Sequence, residues 1–339
     1  MSEIPKKRIV VVGGGTGTHT ILKGLKKYTK QLALSAIVSM ADSGGSTGRL
    51  RDEFGQLPVG DVRMALVALA SDTDAYDALL RELLLYRFSR GEGLTGHNFG
   101  NLLLTALSDM MGSPTAAIET VTKLLKVQGT VIPVTNDNVH LRAEYGNGEV
   151  VIGEHYIDTP SDHLMHERIT ALSVTPRAEL SSAALAALSQ ADVIIFGPGD
   201  LYTSVLANTV VDGFRAAVMA SRAEIIYVCN LMSRPGQTNG MHAAEHVREL
   251  AAYCGRMPDH VVINTTPLPE AIVVRYAALG THPILHNCTE EEGYTLYCQD
   301  VLATEAITTA EGDILVRSLL RHDSQKLASA IVRIIGLSE

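Results

Sequence analysis

Residues 42–49 read Asp42-Ser43-Gly44-Gly45-Ser46-Thr47-Gly48-Arg49, which sets one carboxylate, three hydroxyls, three glycines and a guanidinium side by side. Hydroxyls and backbone N–H groups bind phosphate oxygens, Arg neutralises their charge, and Asp42 would hold a metal, a ribose hydroxyl or a base. A tight turn with Asp42 capping the next helix would explain the acid alone, but three glycines with Arg49 and Arg51 exceed what a turn requires. A second turn, Gly13-Gly14-Gly15-Thr16-Gly17, follows the apolar run at residues 9–12 and precedes Ile21, Leu22 and Leu25 at helical spacing. Two glycine turns after two consecutive apolar runs put two sets of backbone N–H groups on one edge of a parallel sheet, where anions bind. A ligand carrying phosphates is the expectation.

Neither turn is a common nucleotide fingerprint. A GxGxxG pattern begun at Gly13 needs glycine at position 18 and meets Thr18, and no Gly-Lys-Ser/Thr follows either turn. A nicotinamide dehydrogenase is therefore a poor fit. Pro58-Val59-Gly60-Asp61-Val62-Arg63 precedes an apolar helix; Asp61 suits an N-cap, while Arg63 in the first turn opposes the helix dipole unless an anion lies nearby. Gly96-His97-Asn98-Phe99-Gly100-Asn101 opens another helix, with His97 either a hydrogen-bonded structural residue or an acid or base. Asn98 and Asn101, at i and i+3, can face one cleft. Gly197-Pro198-Gly199-Asp200-Leu201-Tyr202-Thr203-Ser204 follows the apolar run 193–196. Gly197, Gly199, Asp200, Tyr202 and Ser204 suit a polar ligand there, or Asp200 or Thr203 caps a helix. Asn230 offers an amide just after the next run, 225–229. Loops that follow successive strands converge on one crevice.

The elements that must position these residues alternate. Strand-like runs at 9–12, 33–38, 169–174, 193–196, 225–229 and 261–264, with helical patterns between most of them, predict a doubly wound α/β sheet. Residues 61–128 read as helix after helix, predicting a helical insertion that walls the ligand cleft or forms an ordinary helical layer. Residues 130–157 carry a hairpin signal, Tyr145-Gly146-Asn147-Gly148 between alternating runs, expected to serve homo-oligomer contacts or to cover a sheet edge. No repeat or long linker divides the 339 residues, so one elaborated domain is expected.

A formal net charge of −9 argues against nucleic-acid binding, which wants a basic face. Cys229, Cys254, Cys288 and Cys298 form no CxxC pair, so neither a zinc site nor a disulfide framework is expected. No run approaches the ~20 apolar residues of a membrane span and no signal peptide is recognisable, so the expected location is cytoplasmic.

Taken together, the 13–17 turn, the run from Ala41 to Arg51, the Pro58 and Gly96 motifs and the Gly197 motif resemble the YvcK/CofD-like family, closest to its YvcK branch of gluconeogenesis factors. The resemblance implies a Rossmann-like three-layer α/β/α fold. It also implies binding of a nucleotide or UDP-sugar such as UDP-N-acetylglucosamine, and control of carbon metabolism, cell shape and cell-wall precursor supply through a regulatory protein partner. No catalytic reaction comes with that branch. The related 2-phospho-L-lactate transferase branch would transfer a phosphoryl-linked group, with Asp42, Asp61 and His97 as candidate metal ligand or base. Tyr276 and Arg321 resemble positions that contact the UDP-sugar. Many relatives carry two consecutive aspartates where this chain has Asp42-Ser43, so a magnesium site at Asp42 would be weaker here.

Overall fold

The computed structural model describes residues 5–289, 293–304 and 319–337. Seven strands form a parallel sheet: β1 (Lys7–Gly13), β2 (Leu32–Val38), β3 (Thr130–Pro133), β7 (Val193–Phe196), β8 (Glu224–Val228), β9 (His260–Asn264) and β10 (Thr295–Gln299). Their spatial order is β10-β9-β8-β7-β1-β2-β3. Chain order runs outward from β1 to β3 on one side and from β7 to β10 on the other. Right-handed crossovers in opposite directions then lay helices on both faces, and the direction switches between β1 and β7. Register is tight across the switch, with Val11 beside Ala36 on one side and beside Ile195 on the other. Residues 9–12 and 193–196 are buried throughout, as expected of strands covered on both faces.

Helices Gly15–Leu25, Gly60–Leu69 and Ser324–Ile334 pack together, and Ser182–Gln190, Phe214–Ala220 and Ala243–Cys254 form a second packed group. This is the doubly wound α/β sheet the strand and helix patterns predict, in the Rossmann-like α/β/α form that the family resemblance implies. Helices Gly60–Leu69, Ala75–Leu85, Phe99–Met111 and Pro114–Leu124 lie between β2 and β3. Among the described residues no helix is long and apolar enough to cross a membrane.

One strand assignment is corrected. The run at 169–174 does not join the parallel sheet. As β6 (Ile169–Thr175) it pairs antiparallel with β4 (His140–Tyr145), which pairs in turn with β5 (Val150–Ile152) across the Gly146-Asn147 turn. The physical reason is burial on one face: Leu172 and Val174 are buried while Thr170 and Ala171 are exposed, a pattern suited to a sheet with one wet side. β3 and β10, short edge strands of the large sheet, were absent from the sequence reading.

The helix Gly15–Leu25 is held against the C-terminal helix by a missing side chain. A Cβ on Gly24 would lie 2.1 Å from the Ser324 carbonyl oxygen and 2.8 Å from the Ala328 Cβ. In an open helix Gly→Ala adds about 1 kcal/mol of stability. Here the two helices must separate, so Gly24→Ala is expected to cost roughly 1–3 kcal/mol. A chemical denaturation midpoint equal to or above wild type would show that the helices do not meet this way.

Candidate functional site

Three helices begin at the carboxyl edge of β1 and β2. The N-caps of Gly15–Leu25, Gly45–Phe54 and Gly60–Leu69 are Gly14, Gly44 and Val59, and none of these residues caps its own helix with a side chain. The helices starting at Ala75, Phe99, Pro114 and Ser324 are each capped by their own Asp, Asn or Ser. Uncapped N-termini leave N–H groups and positive dipole ends directed at one place.

Carboxylates sit among them. Asp61, in the first turn of its own helix, does not cap that helix as the sequence suggests. Its Oδ1 accepts from the Gly15 N–H at 2.7 Å, and a Cβ on Gly14 would lie 2.3 Å from its Oδ2. Asp42 Oδ1 accepts from Gly44 N–H at 2.9 Å, and a Cβ on Gly60 would lie 2.4 Å from its Oδ2. Glu154, delivered by the short helix after β5, accepts from Ser43 N–H at 3.4 Å, while Ser43 Oγ accepts from His155 N–H at 2.9 Å. Burial raises the pKa of all three acids, and the Asp42 charge adds to it at Asp61 and Glu154. Asp61 is pushed up to about 7 by burial and by the Asp42 charge. Asp42 is raised by burial against the opposing bonds from Gly44 and Thr47 and the field of Arg63. Glu154 is raised well above the usual range by burial and by Asp42, Asp158 and Asp61.

Behind this front lies a buried polar network. Ser46 Oγ meets His97 Nδ1 at 3.1 Å and accepts from Asn98 N–H at 3.2 Å. Asn101 Nδ2 donates to Thr47 Oγ1 at 3.3 Å, and Arg63 Nε donates to Asn101 Oδ1 at 2.7 Å. Asn98 caps the helix Phe99–Met111 through the Asn101 N–H and donates to the Leu85 and Tyr86 carbonyls. All of these side chains are buried. Arg63 thus faces Asn101 and the Leu84 carbonyl, and its charge reaches Asp42 and Asp61 as a field. Arg51 is likewise turned inward, to Asn138 and the Val139 carbonyl, whereas Arg49 is exposed and donates to Thr95 O at 3.0 Å. Burial and the Arg49 charge lower the His97 pKa.

The crevice continues across β7 and β8. A Cβ on Gly17 would fall 1.8 Å from the Pro198 carbonyl oxygen, so the two glycine turns touch through backbone. Gly199 N–H donates to Asn230 Oδ1 at 3.2 Å. Asp200 precedes a π-helical turn, Leu201–Leu206, without capping it, and Ser204 is partly exposed on that turn. Asp200 lies 4.0 Å from Arg234, which is bound more tightly to Asp158. Tyr202 points away: it is buried and donates to Glu249 at 2.9 Å. Farther along, Tyr276 accepts from the Leu319 and Leu320 N–H groups and packs with Leu231, Leu302 and Leu320, which brings it and Arg321 beside the loop after β8.

Residues 9–302 match the family model described as 2-phospho-L-lactate transferase CofD. The chain belongs to the CofD family. It is 40% identical over 328 residues to a putative gluconeogenesis factor of Thermotoga maritima, covering 96% of this chain and 99% of that one. It is 35% identical over 332 residues to the gluconeogenesis factor of Bacillus subtilis, covering 97% and 98%. A crystal structure of a UPF0052 family member from Bacillus halodurans superposes with a TM-score of 0.85 at 34% identity, covering 97% of this chain and 99% of that one.

Sequence reasoning missed Glu154 and Asp158, on the short helix after β5, and Arg234, in the loop after β8. The signal available was Gly153, at φ +107°, just after the hairpin, which redirects the chain into the cleft. Among the described residues no three or more His, Cys, Asp or Glu are gathered to hold a metal ion. Magnesium would instead take Asp42 or Asp61 with ligand phosphates and water, the donor set it commonly uses.

Asp61 binds its proton more tightly folded than unfolded, so the folded state loses stability as pH rises from about 4 toward about 7. Asp61→Asn keeps an oxygen for Gly15 N–H and removes that loss. Its stability relative to wild type is expected to be near zero at acid pH and to grow to roughly 1–3 kcal/mol above neutrality. A pH-independent difference in denaturation profiles would refute the assignment.

Proposed function

We propose that this CofD-family protein binds a nucleotide sugar of the UDP-N-acetylglucosamine type at the switch-point crevice and acts as a cytoplasmic regulator. It would influence carbon metabolism, cell shape and cell-wall precursor supply. The observation that carries the reading is the set of three helix N-termini whose own N-cap residues supply no side-chain cap, two of them within the 13–17 and 44–48 turns. A diphosphate suits those N–H groups. Asn230, Tyr276 and Arg321 would orient base and sugar, and the gluconeogenesis-factor names of the relatives support a role in carbon metabolism. Regulation requires that the ligand favour one of two states of a surface read by a protein partner. The bond from Ser43 N–H to Glu154, on the short helix after β5, is a contact that phosphate would alter.

A second reading is favoured by the paired acids. Asp42 and Asp61 beside a phosphate seat are what a metal-assisted transferase needs, and the family model carries the transferase description. His97, enclosed behind Ser46, is less suited to reach a substrate than either acid.

Titration calorimetry of UDP-N-acetylglucosamine, GDP and NAD, in magnesium and in EDTA, separates the readings. The regulator predicts micromolar binding of the UDP-sugar in both buffers, weakened at least tenfold by Arg321→Ala, about 1.4 kcal/mol. Preference for GDP with a strict magnesium requirement would overturn it in favour of the transferase.

A further inference from the structure

A second cleft, which shares no lining residue with the switch-point crevice, opens where β6 meets three helices. Its walls are Leu172 of β6, Thr209 and Val210 at and just beyond the end of helix Ala207–Thr209, Arg215 of helix Phe214–Ala220, and Ala252 and Tyr253 of helix Ala243–Cys254. Leu172 and Thr209 are buried, and Val210 and Tyr253 are half-buried. The volume is about 410 Å³. That falls within the range of small-molecule sites, roughly 300–1,000 Å³, and at ~30 Å³ per water-sized group it holds on the order of ten non-hydrogen atoms.

Arg215 is the one charged side chain on this lining. Its Nη1 donates to the Ala252 carbonyl oxygen, in the last turn of helix Ala243–Cys254. The guanidinium rests on Gly255, which ends that helix at φ +79°, and a Cβ there would lie 3.0 Å from Arg215 Nε. A guanidinium carries five N–H groups, and the bond to Ala252 uses one. Among the described residues no carboxylate forms an ion pair with Arg215. Tyr253 supplies a second donor: its hydroxyl oxygen accepts from Leu172 N–H at 2.8 Å, which leaves the O–H free to donate. Burial raises the pKa of this phenol, so it keeps its proton. The same bond, with that from Tyr202 O–H to Ile169 O at 3.3 Å, occupies edge groups of β6, so an added peptide strand would have to break both.

We propose that this cleft binds a small amphipathic carboxylate, with its anionic end on Arg215 and Tyr253 and its apolar body against Leu172, Val210 and Ala252. A guanidinium accommodates a carboxylate through two parallel N–H bonds, and the phenol adds a third donor. One fixed positive charge beside an apolar wall matches a monoanion. A phosphate monoester would bring a second negative charge for which this lining holds no countercharge. The apolar body supplies affinity by leaving water, and the charge-assisted bonds set its orientation. The proposal is independent of the nucleotide-sugar reading, because none of these residues belongs to the crevice.

Ligand-observed NMR titration of the full chain with phenylacetate and hexanoate, each beside its neutral amide, tests it. Both acids are expected to bind saturably, the tighter with a dissociation constant of about 1 mM or below, and each amide at least tenfold more weakly. Arg215 is exposed, so Arg215→Met keeps the stem and the fold while removing the charge. It is expected to abolish the preference for acid over amide, with the far-ultraviolet circular dichroism spectrum unchanged. Val210→Phe fills the apolar side of the cleft and is expected to weaken acid and amide alike at least fivefold. No saturable binding of either acid, equal affinity for acid and amide in the wild-type chain, or a preference that survives Arg215→Met would each overturn the proposal. Unchanged affinity in the Val210→Phe chain would put the bound acid elsewhere and overturn it as well.

Discussion

The carboxyl edge of the sheet depends on how closely the turn after β1 can lie against the turn after β7. Parallel pairing of β1 with β7 sets the spacing, and the Gly17 backbone fills it, with no room for a methyl group before the Pro198 carbonyl. That contact fixes where the first helix begins. It also leaves Gly199 N–H in reach of Asn230, which ties the loop after β8 to the same edge. A second contact of the same kind operates after β2, where a Cβ on Gly48 would lie 2.2 Å from the Ser43 carbonyl oxygen. At both places glycine provides space for backbone to approach backbone.

With the turns so placed, electrostatics sets the character of the cleft. Positive helix ends attract anions, and the protein's own carboxylates occupy part of that field, Asp61 on Gly15 N–H and Asp42 on Gly44 N–H. Proximity and burial then work against the acids, because neighbouring carboxylates in a poorly solvated site cannot all ionise without cost. Their charge can be relieved by protonation, by a cation, or by rearrangement as a ligand arrives. The basic residues are arranged to moderate this pressure. Arg63 acts from behind a hydrogen bond to Asn101, and Arg234 is clamped to Asp158 with Asp200 close by.

The sheet's central strands and the helices between β2 and β3 were legible because their periodicity is strong and local. The residues 9–12 are apolar without alternation, and Leu80 and Leu84 in one helix and Leu104 and Leu107 in another recur at helical spacing. The edge strand β10 was not legible, since Thr295–Gln299 is partly exposed and carries no continuous apolar run. The glycine turns were visible for a similar local reason: their residue types are unusual for a simple turn. Glu154 and Arg234 were not visible, because they enter the cleft through the fold of the small sheet and the loop after β8, and nothing in their neighbours' types marks a site. Arg63 shows the converse limit. Its place in a first helical turn suggested a nearby anion, and the structure supplies protein partners for the guanidinium together with two acids within its field.

The helix Phe99–Met111 joins the cleft to the outer surface. At its start, His97 and Asn98 hold Ser46, and Asn101 links Thr47 to Arg63. At its far end, Met110 stands in solvent. A Cβ on Gly100 would strike the Leu84 carbonyl oxygen at 2.6 Å and the Arg63 side chain at 2.7 Å, so the helix is seated against its neighbours and cannot slide without moving them. Displacement of the 44–48 turn would therefore be carried through buried hydrogen bonds into this helix. The helix that braces the 44–48 turn is also the one that carries Met110 into solvent, so a change at the cleft and a change at its exposed end bear on the same helix.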